Sequence, residues 1–165
     1  MNPTMIMLIG PTGCGKSTFR KNNLAKLPCV SPDDFVIGKR TNVKVSYAWQ
    51  HARNMAIELM KERHSFVADA QFIDTAVRNE WKSLARGFGF DSVGVAFNTT
   101  WEQLQKNQQA RGARGLYGKV PVSVQKSAYQ RMKAQLDHDY HSMVLRTGFE
   151  ALHIVDFGKK LKLDI

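Results

Sequence analysis

The sequence predicts an α/β fold: a five-stranded parallel sheet with helices on both faces. Three observations predict it. The apolar run Met5–Ile9 leads directly into Gly10-Pro11-Thr12-Gly13-Cys14-Gly15-Lys16-Ser17-Thr18, which matches G-x-x-x-x-G-K-[ST]; strand, glycine-rich loop and helix thus follow one another in the order a phosphate-binding loop requires. Short apolar runs then alternate with helical patterns along the chain, as in a sheet built from crossover units. Two of the later runs end at carboxylates, Asp33-Asp34 and Asp69. Ligands of such sheets bind beyond the carboxyl ends of the strands, so Gly10, Asp33 and Asp69 should share one rim.

Taken in order, Met5–Ile9 is the first strand, and Lys16 to Lys26 reads as the first helix, stopped by Pro28. Cys29-Val30 is a short second strand that runs into Ser31-Pro32-Asp33-Asp34. Between Val43 and Arg63, apolar residues fall at Val45, Ala48, Ala52, Met55 and Leu59, which predicts an amphipathic helix. Ser65 to Ala68 is the third strand, ending at Asp69. Thr75 to Arg86 reads as a helix capped by Asp74 or Thr75 and followed by Gly87 and Gly89. Ser92 to Phe97 is the fourth strand, and Thr99-Thr100-Trp101-Glu102 fits a capping box that opens the next helix. Residues 111–118 hold three glycines and two arginines without periodicity, hence a loop. Pro121 opens a further helix to about Leu136, Leu152 to Val155 is the fifth strand, and the basic tail from Gly158 should fray.

With 165 residues, no internal repeat and no evident linker, residues 1–165 read as one domain. No apolar run approaches the ~20 residues that span a bilayer. Met1-Asn2-Pro3-Thr4 lacks a basic leader, and the two cysteines, Cys14 and Cys29, form no disulfide framework. A cytoplasmic protein with no membrane contact and no obligatory protein partner is the expectation. The net charge of +10 is unevenly spread: between Trp101 and Gln135, seven Lys/Arg face a single acid, Glu102. A basic surface attracts polyanions, although many basic surfaces are only solvated.

The candidate chemistry begins at the loop. Gly10, Gly13 and Gly15 permit backbone conformations that turn successive N–H groups toward phosphate oxygens; Thr12, Cys14 and Thr18 complete the cradle. Lys16 can reach the β- and γ-phosphates of ATP or another nucleoside triphosphate, and Ser17 can place its hydroxyl on Mg²⁺. Asp33 is either the base that orients an acceptor hydroxyl or a cap in a turn-forming S-P-D-D. Asp69 could bind Mg²⁺ through water, or hold Asp33 and nearby basic groups in place; otherwise it is a cap or a loop anion. Arg111 and Arg114 flank the glycine-bearing loop and could close over a triphosphate from a lid spanning about 107–120. His138 and His141 lack partners for a zinc site. His51 and His64 read as helix-surface residues. Trp49, Trp81 and Trp101 read as packing groups.

These residues resemble the kinase domain of phage-type polynucleotide 5′-hydroxyl kinases. The resemblance runs over nearly all of residues 5–135: the phosphate loop, S-P-D-D, V-A-D-A-Q, A-R-G before the glycine-bearing loop, and V-P-V-S-V-Q-K-S-A-Y-Q-R-M after it. It implies a P-loop kinase-like three-layer sandwich with an arginine-bearing lid. It also implies transfer of the ATP γ-phosphate to the 5′-OH of DNA or RNA, with Asp33 as general base, Lys16 and Ser17 on phosphate and magnesium, and Arg111 as the lid arginine. The chain departs from the family at three positions. Val36 stands where an acceptor-side arginine is usual, Asn107 where a second lid arginine would fall, and Gln71 in place of an asparagine. Lys39, Arg40 or Lys106 could supply the missing charge, with Gln71, Lys39 and Arg40 on the acceptor. The family's D-x-D-x-T phosphatase domain is absent from this sequence. A small-molecule kinase, or a nucleotide- or RNA-binding module with little turnover, are the competing readings.

Overall fold

A computed structural model describes residues 2–35, 45–111, 121–137 and 145–158. Among the described residues there are five strands, β1 (Thr4–Ile9), β2 (Cys29–Val30), β3 (Phe66–Asp69), β4 (Asp91–Asn98) and β5 (Ala151–Asp156). All ladders are parallel, in the order β2-β3-β1-β4-β5. The expected sheet is therefore present, with the phosphate-loop strand at its centre.

β1 shows why the chain folds this way. Met5 to Ile9 are all fully buried, as an unbroken apolar run requires when helices cover both faces. Alternate residues point to opposite faces. Met5, Met7 and Ile9 join one core with Phe66, Phe72, Trp81 and Met132. Ile6 and Leu8 join the other with Cys14, Phe19 and Leu24. Each such side chain contributes roughly 1.5–3 kcal/mol of burial free energy.

The helices are α1 (Lys16–Asn23), α2 (Val45–Lys61), α3 (Thr75–Gly87), α4 (Trp101–Arg111) and α5 (Val122–Asp137). Through Phe19, α1 packs on the Ile6/Leu8 face; α2, α3 and α5 pack on the other. The buried stripe of α2 is Ala48, Ala52, Ala56 and Met60. This corrects the sequence expectation: Met55 is 42% exposed, because a four-residue alanine repeat turns it outward and lets the helix sit close to the sheet. α1 is shorter than expected. The Asn23 side chain donates to the Phe19 carbonyl (2.9 Å), and an asparagine that competes for backbone acceptors ends a helix early. Asp74, not Thr75, caps α3, accepting from Ala76 N–H (2.8 Å). The cap of α4 lies one residue later than the box predicts. Thr100 Oγ1 accepts from Gln103 N–H (3.2 Å), and Thr99 Oγ1 is buried without a partner among the described residues.

Trp49 and Trp81 form an aromatic cluster with Phe72, and Trp101 packs on Tyr129, as packing roles predict. His51 and His64 are exposed. His138, His141 and the tail beyond Gly158 lie outside the described residues. No helix among the described residues is long and apolar enough to cross a membrane.

Candidate nucleotide and acceptor site

The loop after β1 has the geometry its glycines promise. A Cβ at Gly10 would stand 2.6 Å from Cys14 Sγ and 3.3 Å from Phe97 Cβ, so no larger residue fits. Gly15 holds φ 106° and opens α1 with no side-chain cap. The first N–H groups of that helix thus face the loop's hollow, where an anion is favoured. Lys16 folds back so that its Nζ donates to the carbonyls of Gly10 (2.7 Å) and Pro11 (3.1 Å). Ser17 and Thr18 are exposed at the start of α1. Cys14 is buried beneath the loop, where burial pushes its thiol pKa up despite the nearby Lys16 ammonium. It serves as a neutral packing group.

The loop is braced from both sides. On the β3 side, Gly10 N–H donates to the Gln71 carbonyl (2.8 Å), and Gln71 Nε2 donates to Thr12 Oγ1 (3.1 Å). On the α4 side, Asn107 Nδ2 donates to the Gly13 carbonyl (2.8 Å) and Gln108 Nε2 to the Thr12 carbonyl (2.8 Å). Asn107, the position of the absent second lid arginine, is therefore a tether of the loop itself. Sequence reasoning found no role for Gln108.

The carboxylates lie toward the β2/β3 edge. Asp69 ends β3 in register with Leu8, two residues before the loop begins. It is 8% exposed, with Arg20 Nε 3.4 Å from its Oδ2. Burial pushes its pKa above the ordinary value; Lys16 and then Arg20 pull it down, and Asp33 and Asp34 push it up again. These five charged groups thus form one electrostatic cluster. Asp33 sits in a 3-10 turn, Pro32–Phe35, directly after β2. Ser31 organises that turn, accepting Asp33 N–H at Oγ (3.3 Å) and Asp34 N–H at its carbonyl (3.2 Å). The Asp33 residue is exposed at the rim. Arg20 was missed because on α1 it reads as a surface cation. It also stands by Cys29, whose thiol burial pushes up to about 11.

On the opposite side of the loop lies a cavity of about 1070 Å³, lined by Lys16, Ser17, Asn107, Ala110, Asp156 and Phe157 among others. It sits toward β4 and β5, and its size suits a nucleotide.

A family model described as an AAA domain matches residues 5–138. The chain belongs to the AAA domain family. No curated protein matches it. Among solved structures, this AAA domain protein is similar to AvrRxo1-ORF1:-ORF2 with ATP (16% identity over 94% of this chain and 55% of that chain, TM-score 0.72). It is similar to the Pnkp1/Rnl/Hen1 RNA repair complex (20% identity, 84% and 47%, TM-score 0.64). It is also similar to a gluconokinase from Sinorhizobium meliloti 1021 (16% identity, 96% and 85%, TM-score 0.58). The chain spans about half the length of the matched chains in the first two. The shared architecture is the P-loop kinase-like fold.

Within this AAA domain protein, the structure brings together Gly10, Thr12, Gly13, Cys14, Gly15, Lys16, Ser17, Thr18, Asp69 and Gln71. Arg111 ends α4, but its side chain, like Arg114, Lys39, Arg40 and Val36, lies outside the described residues. Among the described residues no cluster of three or more His, Cys, Asp or Glu could hold a metal ion. The available donors, Ser17 hydroxyl and Asp69 carboxylate, fit Mg²⁺ that completes its shell with water and substrate phosphates.

Proposed function

We propose that the protein is an ATP- and Mg²⁺-dependent kinase of 5′-OH ends of DNA or RNA. One observation carries the phosphotransferase reading. The phosphate loop stands between a nucleotide-sized cavity and a cluster of carboxylates, so a donor on one side can meet an acceptor on the other. ATP would occupy the cavity with its phosphates in the loop. The acceptor hydroxyl oxygen attacks the γ-phosphorus as its proton passes to Asp33. The P–O bond forms, the bond to the β-phosphate oxygen breaks, and ADP leaves. Lys16 offsets charge on the transferring group. Asp69 and Ser17 would hold Mg²⁺, which when bound neutralises the phosphates and orients them for in-line transfer. Arg111 would approach from the lid.

The polynucleotide acceptor is supported by the resemblance to 5′-hydroxyl kinases and by seven cations against one acid between Trp101 and Gln135. A long basic segment suits a polyanion better than a small metabolite. The likeness to a gluconokinase supports a second reading, a small-molecule acceptor. The test is transfer of labelled γ-phosphate from ATP to 5′-OH oligonucleotides of DNA and RNA, beside gluconate and a panel of nucleosides. Labelling of oligonucleotides alone is expected. Labelling of a small acceptor alone overturns the polynucleotide assignment.

A further inference from the structure

Arg78 is 0% exposed and lies in α3. No step of the proposed chemistry uses it. Its Nη1 donates to the carbonyls of Phe72 (2.7 Å) and Ile73 (2.8 Å). Its Nη2 donates to Thr75 Oγ1 (3.0 Å) and to Gln135 Oε1 of α5 (2.7 Å). Gln135 Nε2 in turn donates to the same Ile73 carbonyl (2.9 Å). Burial pushes the guanidinium pKa down to about 10, which leaves it charged at neutral pH.

The clamped segment is strained. Phe72 adopts φ 48°, a left-handed conformation that a residue with a Cβ rarely takes. Its ring is fixed edge-on against Trp49 and Trp81. The residue immediately before it is Gln71. That residue supplies both β3-side bonds of the phosphate loop, accepting from Gly10 N–H and donating to Thr12 Oγ1. Strained backbone persists where its surroundings over-determine it. Here the surroundings are an aromatic anchor on the side chain and a planar cation on the carbonyls.

We propose that Arg78 is a positioning residue for the phosphate loop. It holds the kink at Phe72, the kink aims Gln71, and Gln71 holds Gly10 and Thr12. Gln135 couples α5 to the same clamp. Arginine suits the position because its planar fork holds several acceptors at once, and a single ammonium does not. The inference rests on the nucleotide-binding half of the function proposed above and is independent of the acceptor.

The experiment measures the dissociation constant of ATP with Mg²⁺ by calorimetry on the full chain. It compares wild type, Arg78→Lys, Gln71→Ala and the double variant, all at a temperature where circular dichroism shows each folded. Arg78→Lys and Gln71→Ala should each weaken ATP about fivefold, the scale of one lost hydrogen bond. The double variant should be no weaker than the worse single, because both act through one contact chain. Wild-type affinity in Arg78→Lys, or losses that multiply in the double variant, overturns the proposal. Should Arg78→Lys not fold, Gln135→Leu removes the outer half of the clamp and should weaken ATP about twofold; an unchanged affinity there overturns it too. Failure of wild type to label oligonucleotides would defeat the acceptor assignment and leave these affinities readable.

Discussion

The two flanks of the phosphate loop are built from different materials. Toward β2 and β3 carboxylates and a cation stand beside the Gln71 tether: Asp69 with Arg20 at 3.4 Å, and Asp33 and Asp34 acting on it electrostatically. Toward β4 and β5 the groups that hold the loop are neutral amides, Asn107 and Gln108, with Phe157 and the Asp156 carboxylate lining the cavity beyond them. Charges in a partly dry site are costly to hold and serve where charge moves; amides hold shape without that cost. The β2/β3 flank is thus suited to chemistry, and the β4/β5 flank to binding.

The largest test of that division is Asp33→Ala. Removing a positioned base costs about 10²–10⁴-fold in rate. Transfer to a 5′-OH oligonucleotide should fall by that factor, while calorimetry should show ATP affinity within about twofold of wild type. Full transfer activity in this variant removes Asp33 from the base role. Asp69→Asn should be smaller in rate and opposite in stability. Loss of a carboxylate acting through metal-bound water costs about 10–100-fold in metal affinity or activity. Burial raises the Asp69 pKa, so the folded state binds this proton more tightly than the unfolded chain. Its contribution to stability is then greatest below the ordinary carboxylate range and is lost as pH rises through the raised value. Above that raised value the ionised group opposes folding. Asp69→Asn should therefore melt higher than wild type where that charge is present, with the gain vanishing as pH falls below the ordinary carboxylate range. A lower melting temperature at pH 7 would mean that Arg20 outweighs burial. Below these comes salt: raising it from 50 to 200 mM should raise the oligonucleotide KM about twentyfold for three contacted phosphates of a single strand. The ATP KM should move less.

How far the two flanks can be read in the sequence follows from how local their signals are. The loop, its glycines, Lys16 and Ser17 are one contiguous motif behind a strand, so spacing alone placed them. Asp69 was legible because it ends an apolar run, and Asp33 because it ends another. Asn107 and Gln108 were not legible. An amide on a helix face looks like any solvated residue, and its partners here, Gly13 and Thr12, are more than 90 residues away. Arg20 fits a solvated helix face equally well until β3 brings Asp69 beside it. In α2, a pattern with Met55 inward and the observed pattern through Ala56 are both helical; only packing at alanine distance from the sheet selects the second. Thr99 and Thr100 are equally good caps by composition, and the end of β4 at Asn98 decides for Thr100.

The smallest effect tests the neutral flank, through Asn107→Ala. The bond from Asn107 to the Gly13 carbonyl is uncharged and only partly buried. A hydrogen bond of that kind contributes about 1 kcal/mol, or about fivefold in an equilibrium constant. Gly13 itself holds φ 89°, so the loop's turn is available without the tether, and the loss is one of preorganisation. ATP affinity should therefore weaken about fivefold. The rate of transfer at saturating ATP should stay within about twofold, because the bound loop recovers its shape. Both effects should be insensitive to salt, since no ion pair is removed. A large fall in saturated rate with unchanged affinity would place Asn107 among the groups that meet the transferring phosphate, and the division between a flank for chemistry and a flank for binding would then fail at its neutral end.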